Sequence, residues 1–109
     1  MSLMRTIKSK VVGVSFNNRQ ERIKGLQKGQ QLFWIHEANN QYDPNSILLF
    51  SEGDRGSDVG HLRRELAAEV VVGVAVGNSY DIFVDEVTGG TGQKSFGVNI
   101  RIFEKLPGE

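Results

Sequence analysis

The stretch Phe96-Gly97-Val98-Asn99-Ile100-Arg101-Ile102-Phe103 decides the fold class. Phe96, Val98, Ile100 and Ile102 take alternate positions, with Gly97, Asn99, Arg101 and Phe103 between them. A repeat of two is the side-chain period of a strand, so one face of the segment enters a core and the other meets water. Just upstream, Tyr80, Ile82 and Val84 alternate with Asp81, Phe83 and Asp85 in the same way. Between the two runs, Gly89-Gly90-Thr91-Gly92 predicts a flexible hairpin connection.

Further strands are expected at Val11-Val12-Gly13-Val14-Ser15-Phe16, at Leu32-Phe33-Trp34-Ile35, at Ile47-Leu48-Leu49-Phe50 and at Val59-Gly60-His61-Leu62. Each is short and rich in β-branched or aromatic residues. Two helices interrupt them. Asn18 and Glu21 match a capping box, Ile23 and Leu26 share a helical face, and Gly29 after Lys28 supplies a stop, which predicts a basic helix from about Arg19 to Lys28. Leu62, Leu66, Val70 and Val74 recur every four residues, so a second helix follows the fourth strand although Val70-Val71-Val72 is β-branched. The polar run from Ser51 to Ser57 is a surface turn. The fold expected is mainly β, a small barrel of about six strands of the OB or SH3-like kind with two short helices. With 109 residues the chain makes one domain over 1–109, Met1-Ser2-Leu3-Met4 being an extraneous or disordered start.

No apolar run approaches the roughly 20 residues that span a bilayer, so no membrane partner is expected. The chain has no cysteine, which excludes disulfides and thiolate zinc sites and suits a reducing, cytoplasmic setting. The formal net charge is zero, yet residues 1–28 hold seven basic side chains against Glu21 alone. That asymmetry builds either a basic face or a solvated helix beside an acidic barrel. It falls short of the charge with which proteins coat a duplex.

Enzyme chemistry finds little material. His36 and His61 are the only histidines, the Gly89–Gly92 segment lacks the lysine of a phosphate-binding loop, and no serine sits in a nucleophile elbow. Asp81, Asp85 and Glu86 make a solvated strand face more readily than a metal site. No enzyme activity, no catalytic residue, no metal and no cofactor are expected.

Asn39-Asn40-Gln41-Tyr42-Asp43-Pro44-Asn45 is different, because nothing about building a core calls for it. Tyr42 offers a ring on which a base can stack. Asp43 repels a phosphate yet accepts a hydrogen bond from a hydroxyl, which makes sense where a nucleic acid strand ends. The competing structural reading is a turn held by Asp43, with Tyr42 lying on the barrel wall. His61, Arg63 and Arg64 open the second helix, where free amides and guanidinium donors attract anions.

These segments together resemble the HIRAN domain family. The resemblance rests on Val12-Gly13-Val14, on Asn39 through Ile47, on Val59-Gly60-His61-Leu62-Arg63-Arg64-Glu65-Leu66-Ala67 and on Gly97-Val98-Asn99-Ile100. It implies a modified OB-type or SH3-like barrel that binds single-stranded DNA at a free 3′-hydroxyl end, as domains attached to fork-remodelling helicases do. It assigns Tyr42 and Asp43 to the terminal nucleotide, Asn40 to support of the loop, and His61 and Arg64 to backbone phosphates. Where the DNA-binding members carry an aromatic stacker at the start of the first strand, this chain has Lys10, which would meet a phosphate instead. The implied partner is single-stranded DNA or a DNA 3′ end, in repair or processing. The alternative is a protein partner for a barrel that has lost DNA binding. No helicase motor or zinc-binding ring lies in these residues, so neither activity is expected.

Overall fold

In a computed structural model, which describes residues 3–53 and 55–107, the chain forms six strands and two α-helices. The strands are β1 (Leu3–Val12), β2 (Gln31–His36), β3 (Ile47–Phe50), β4 (Asp58–Leu62), β5 (Ser79–Thr88) and β6 (Gly97–Lys105). The helices are α1 (Arg19–Lys24) and α2 (Arg64–Ala75). All pairings are antiparallel and the order β1-β4-β3-β2-β5-β6 closes on itself. The mainly β barrel with two helices is therefore as expected.

β6 carries the predicted alternation throughout. Val98, Ile100 and Ile102 are buried, while Asn99, Arg101 and Phe103 are half-exposed on the outer face. Ile82 and Val84 of β5, Leu32 of β2, Ile47 and Leu49 of β3 and Val59 of β4 complete the interior. Leu66, Ala67 and Val70 of α2 pack onto it. Glycine in the middle of α2 costs helix propensity. It is required at Gly73 because a Cβ there would overlap the Tyr80 hydroxyl. Trp34 turns inward and donates its indole N–H to the Tyr80 carbonyl at 3.0 Å, whereas Phe33 faces out against Phe50.

Three local expectations fail. The first strand runs over Leu3–Val12 rather than 11–16, so Leu3 and Met4 begin it, and Lys10 lies near its end rather than its start. Met1 and Ser2 lie outside the described residues. The Asn18–Glu21 capping box does not form: Asn18 is left-handed at φ 61° and makes no side-chain cap. Asn17 is left-handed too, so two asparagines, which tolerate this region, turn the chain into the helix through backbone bonds such as Arg19 N–H to the Phe16 carbonyl. Finally, α1 stops at Lys24 with Gly25 as its cap, not at Lys28.

The three arginines of the basic N-terminal third are engaged within the fold. Arg19 is buried, donates Nε to Asp58 at 2.6 Å and Nη1 to the Gly13 carbonyl at 2.8 Å. Arg22 meets the same Asp58 carboxylate at 3.2 Å. Arg5 donates to Glu104 at 2.6 Å and also pairs with Glu69.

Glu104 occupies a buried, inward position in register with Ile100 and Ile102. Besides Arg5 it accepts the Tyr80 hydroxyl at 2.6 Å. The Arg5 guanidinium, then the Tyr80 hydroxyl, hold its carboxyl below the ordinary carboxylate value. Burial and that neighbouring carboxylate push the Tyr80 phenol up, so it remains a donor. Because the folded value of Glu104 is depressed, its contribution is complete above the unfolded value of about 4.3 and is lost as pH falls through the folded one. Glu104→Gln is therefore expected to cost about 1–3 kcal/mol in urea unfolding at neutral pH, since Arg5 and the buried phenol lose a charged acceptor. The deficit should shrink at pH 3, and an equal deficit at both values would contradict the assignment.

Candidate functional site

The loop between β2 and β3 is built by its own side chains. Glu37 N–H donates to the Ser46 carbonyl, Asn40 N–H to Glu37, and Ser46 N–H to Asp43. Asn40 Oδ1 accepts the amides of Tyr42 at 2.8 Å and Asp43 at 3.0 Å. Asp43 Oδ1 accepts Asn45 N–H at 2.9 Å. His36 Nε2 donates to the Pro44 carbonyl at 2.7 Å, since a carbonyl only accepts. These asparagine and aspartate oxygens replace absent strand partners, as short polar side chains do in tight turns.

The competing turn reading is thus correct for one oxygen of Asp43. Its other half fails, because Tyr42 is 85 % exposed and lies on no wall. The second carboxylate oxygen, Oδ2, lies 4.0 Å from Arg64 Nε, with the Arg64 side chain 78 % exposed. A contact that long and wet is worth little, so both groups remain able to exchange it for a ligand. Asn40 braces the loop from within through its bonds to the Tyr42 and Asp43 amides.

His61 is anchored from the loop. Its Nε2 lies 2.9 Å from Glu37 Oε1, which also accepts the Ser46 hydroxyl at 2.9 Å. Burial alone would raise the Glu37 carboxyl, but Ser46 and His61, with Asn40, hold it below its ordinary value. An ionised Glu37 fixes Nε2 as the donor and turns Nδ1 toward Gly13 and Phe16. The strand bearing His61 can approach β1 so closely because Gly60 has φ 149°, and a Cβ there would overlap Val11 and the Val12 carbonyl.

Two residues that sequence reasoning passed over belong here. Phe16 is 66 % exposed and its ring lies beside Gly13, on the side of His61. It was expected inside a strand, and its exposure follows from β1 ending at Val12. Glu37 gave no signal, since its partner is 24 residues away. Lys10 does not join the Tyr42–Asp43 cluster. It lines a separate cleft of about 480 Å³ with Lys8, Arg63 and Asn99. Asp81 and Asp85, weighed as metal ligands, are instead held by Lys105 at 2.9 Å and Arg101 at 2.8 Å.

The molecule is thus a closed antiparallel barrel that presents an exposed ring and a neighbouring carboxylate on a loop braced by its own side chains. Residues 4–106 match the family model of the HIRAN domain, and the chain belongs to that family, known for nucleic-acid-binding modules. The crystal structure of the HIRAN domain of human HLTF superposes with a TM-score of 0.66 at 21% identity, covering 95% of this chain and 78% of that one. The crystal structure of a protein from Lactobacillus plantarum gives the same TM-score at 17% identity, covering 91% of this chain and 97% of that one. At those identities the two structures speak for the fold alone. No curated protein matches the chain. Among the described residues, no helix is long and apolar enough to cross a membrane.

Proposed function

We propose that this domain is a non-enzymatic module that binds single-stranded DNA at a free 3′-hydroxyl end, in DNA repair or processing. The observation that carries the reading is an 85 % exposed Tyr42 ring next to an aspartate with one oxygen engaged in its turn and the other facing Arg64. Tyr42 stacks on the terminal base. Asp43 Oδ2 accepts the 3′-hydroxyl proton and repels a phosphate in that place. Arg64 and His61 take the next phosphate, and Phe16 offers a second ring on the His61 side. Lys10 meets the backbone further along. A cysteine-free chain suits a reducing cytoplasm.

The test is fluorescence anisotropy with oligonucleotides ending in 3′-hydroxyl or 3′-phosphate. A hydrogen bond to a charged acceptor is worth about 1.5–3 kcal/mol, so the hydroxyl end should bind about 10–150-fold tighter. Asp43→Asn, which keeps an oxygen for the Asn45 amide, should remove most of that preference. Equal affinity for the two ends in the wild type would end the proposal.

A second reading, a protein-interaction domain, has one observation in its favour. Val72 of α2 and Val76, which caps its C-terminal end, are each 66 % exposed. Absence of salt-dependent binding to any oligonucleotide would favour it.

A further inference from the structure

We propose that the outer face of β1, β6 and β5 is a second nucleic-acid surface, a basic and aromatic track for the 5′ continuation of the strand whose 3′ end lies at Tyr42 and Asp43. The inference rests on the end-binding reading and extends it away from the loop.

Register places Lys8 opposite Arg101 and Lys10 opposite Asn99. It also places Phe83 opposite Arg101. Directly opposed residues share a face, and the intervening Val98, Ile100 and Ile102 fill the core, so these side chains point outward. Two neighbouring depressions result. One, of about 480 Å³, is lined by Lys8, Lys10, Arg63 and Asn99. The other, of about 200 Å³, is lined by Lys28, Phe83, Arg101 and Phe103, and Asp85 borders both. Phe83 and Phe103 stand edge to face with centroids 5.6 Å apart, offering ring surface among the cations.

Charge on this face favours a polyanion. Asp85 is held by Arg101 and Asp81 by Lys105, whereas Lys8, Lys10 and Lys28 have no ion pair among the described residues. The opposing charges are Glu86, exposed opposite Asn99, and Glu65, which lies 3.5 Å from Arg63. The track is continuous with the loop site. Arg63 lines the first depression, and the adjacent Arg64 reaches Asp43. Val12, two residues beyond Lys10, is paired with His61. Cations that follow a backbone, interleaved with rings that accept bases, are how barrels of this type hold single strands without reading sequence.

The experiment compares 3′-hydroxyl oligonucleotides of about 3 and about 12 nucleotides, on either side of the lower end of the roughly 4–16 that an OB-type barrel covers. Affinities are measured across salt concentration for the wild type, Lys8→Ala/Lys28→Ala and Tyr42→Ala. Lys8 and Lys28 are exposed and take no part in the loop site, so the double variant should fold and bind the short oligonucleotide normally. With the long one, loss of two phosphate contacts should lower the slope of log K against log salt by about 1.4. An unchanged slope and affinity for the long oligonucleotide, with Tyr42→Ala weakening both lengths, would overturn the track and leave end binding standing. Dependence on the lysines but not on Tyr42 would overturn end binding and leave the basic surface.

Discussion

Arg19→Ala should lower the free energy of unfolding by about 3–5 kcal/mol, the usual cost of leaving a buried charge without its partner. Among the ion pairs of the described residues this is the one with both members withdrawn from water, the side chains of Arg19 and Asp58 being 6 % and 13 % exposed. Removing the guanidinium strands the Asp58 carboxylate beside Arg22 alone and takes the donor from the Gly13 carbonyl. The pair is less a source of stability than a lock. A double replacement, Arg19→Met with Asp58→Leu, should therefore recover much of the loss, because two apolar side chains do not need each other's charge. Urea unfolding of the wild type, Arg19→Met, Asp58→Leu and the double variant gives the coupling directly. A loss below about 1 kcal/mol for Arg19→Ala would place the pair with ordinary surface contacts. Since Gly13 leads into Phe16, Arg19→Ala should also loosen that side of the binding site.

Tyr42→Ala is expected to act in the opposite way, on binding and not on folding. The ring buries almost nothing in the free protein, so the unfolding free energy should stay within about 0.5 kcal/mol of wild type, as for other surface changes. Loss of a stacking platform costs about 1–3 kcal/mol per base, or roughly 5–150-fold in affinity for single-stranded DNA. Tyr42→Phe keeps the ring and should bind nearly as wild type. If Tyr42→Ala binds as tightly as wild type in anisotropy, the ring is not a platform.

Where apolar residues recur with a steady period, the chain announces the element. β6, β5 and β3 were legible for that reason, and α2 was legible through its four-residue recurrence despite three consecutive valines. β1 was misplaced because its inward positions include Arg5 and Ser9, which break the two-residue period that a strand ordinarily shows. Arg5 can sit there only because Glu104 awaits it across the sheet, and no local window contains that fact. The capping motif misled for a related reason: Asn18 has the right chemistry but the wrong backbone angle.

The site shows the same division. Tyr42, Asp43 and Asn40 stand out in the sequence because their loop is contiguous, whereas the approach of Arg64 to Asp43 across the fold gave no sequence signal. Lys10 was placed by analogy and falls in a different depression. Glu37 and the exposed face of Phe16 depend on how β2, β4 and the end of β1 meet, which is tertiary information.

Because the strand order returns from β6 to β1, each strand has two neighbours, and the ring closes where Val11 and Val12 of β1 meet Leu62 and His61 of β4. Closure leaves less free edge than an open sheet would offer to an added strand or to another copy of the domain. Whatever such a ring recognises must be met by its loops and its outward side chains. That leaves the wall a support on which exposed side chains such as Tyr42 can be exchanged with little effect on the core.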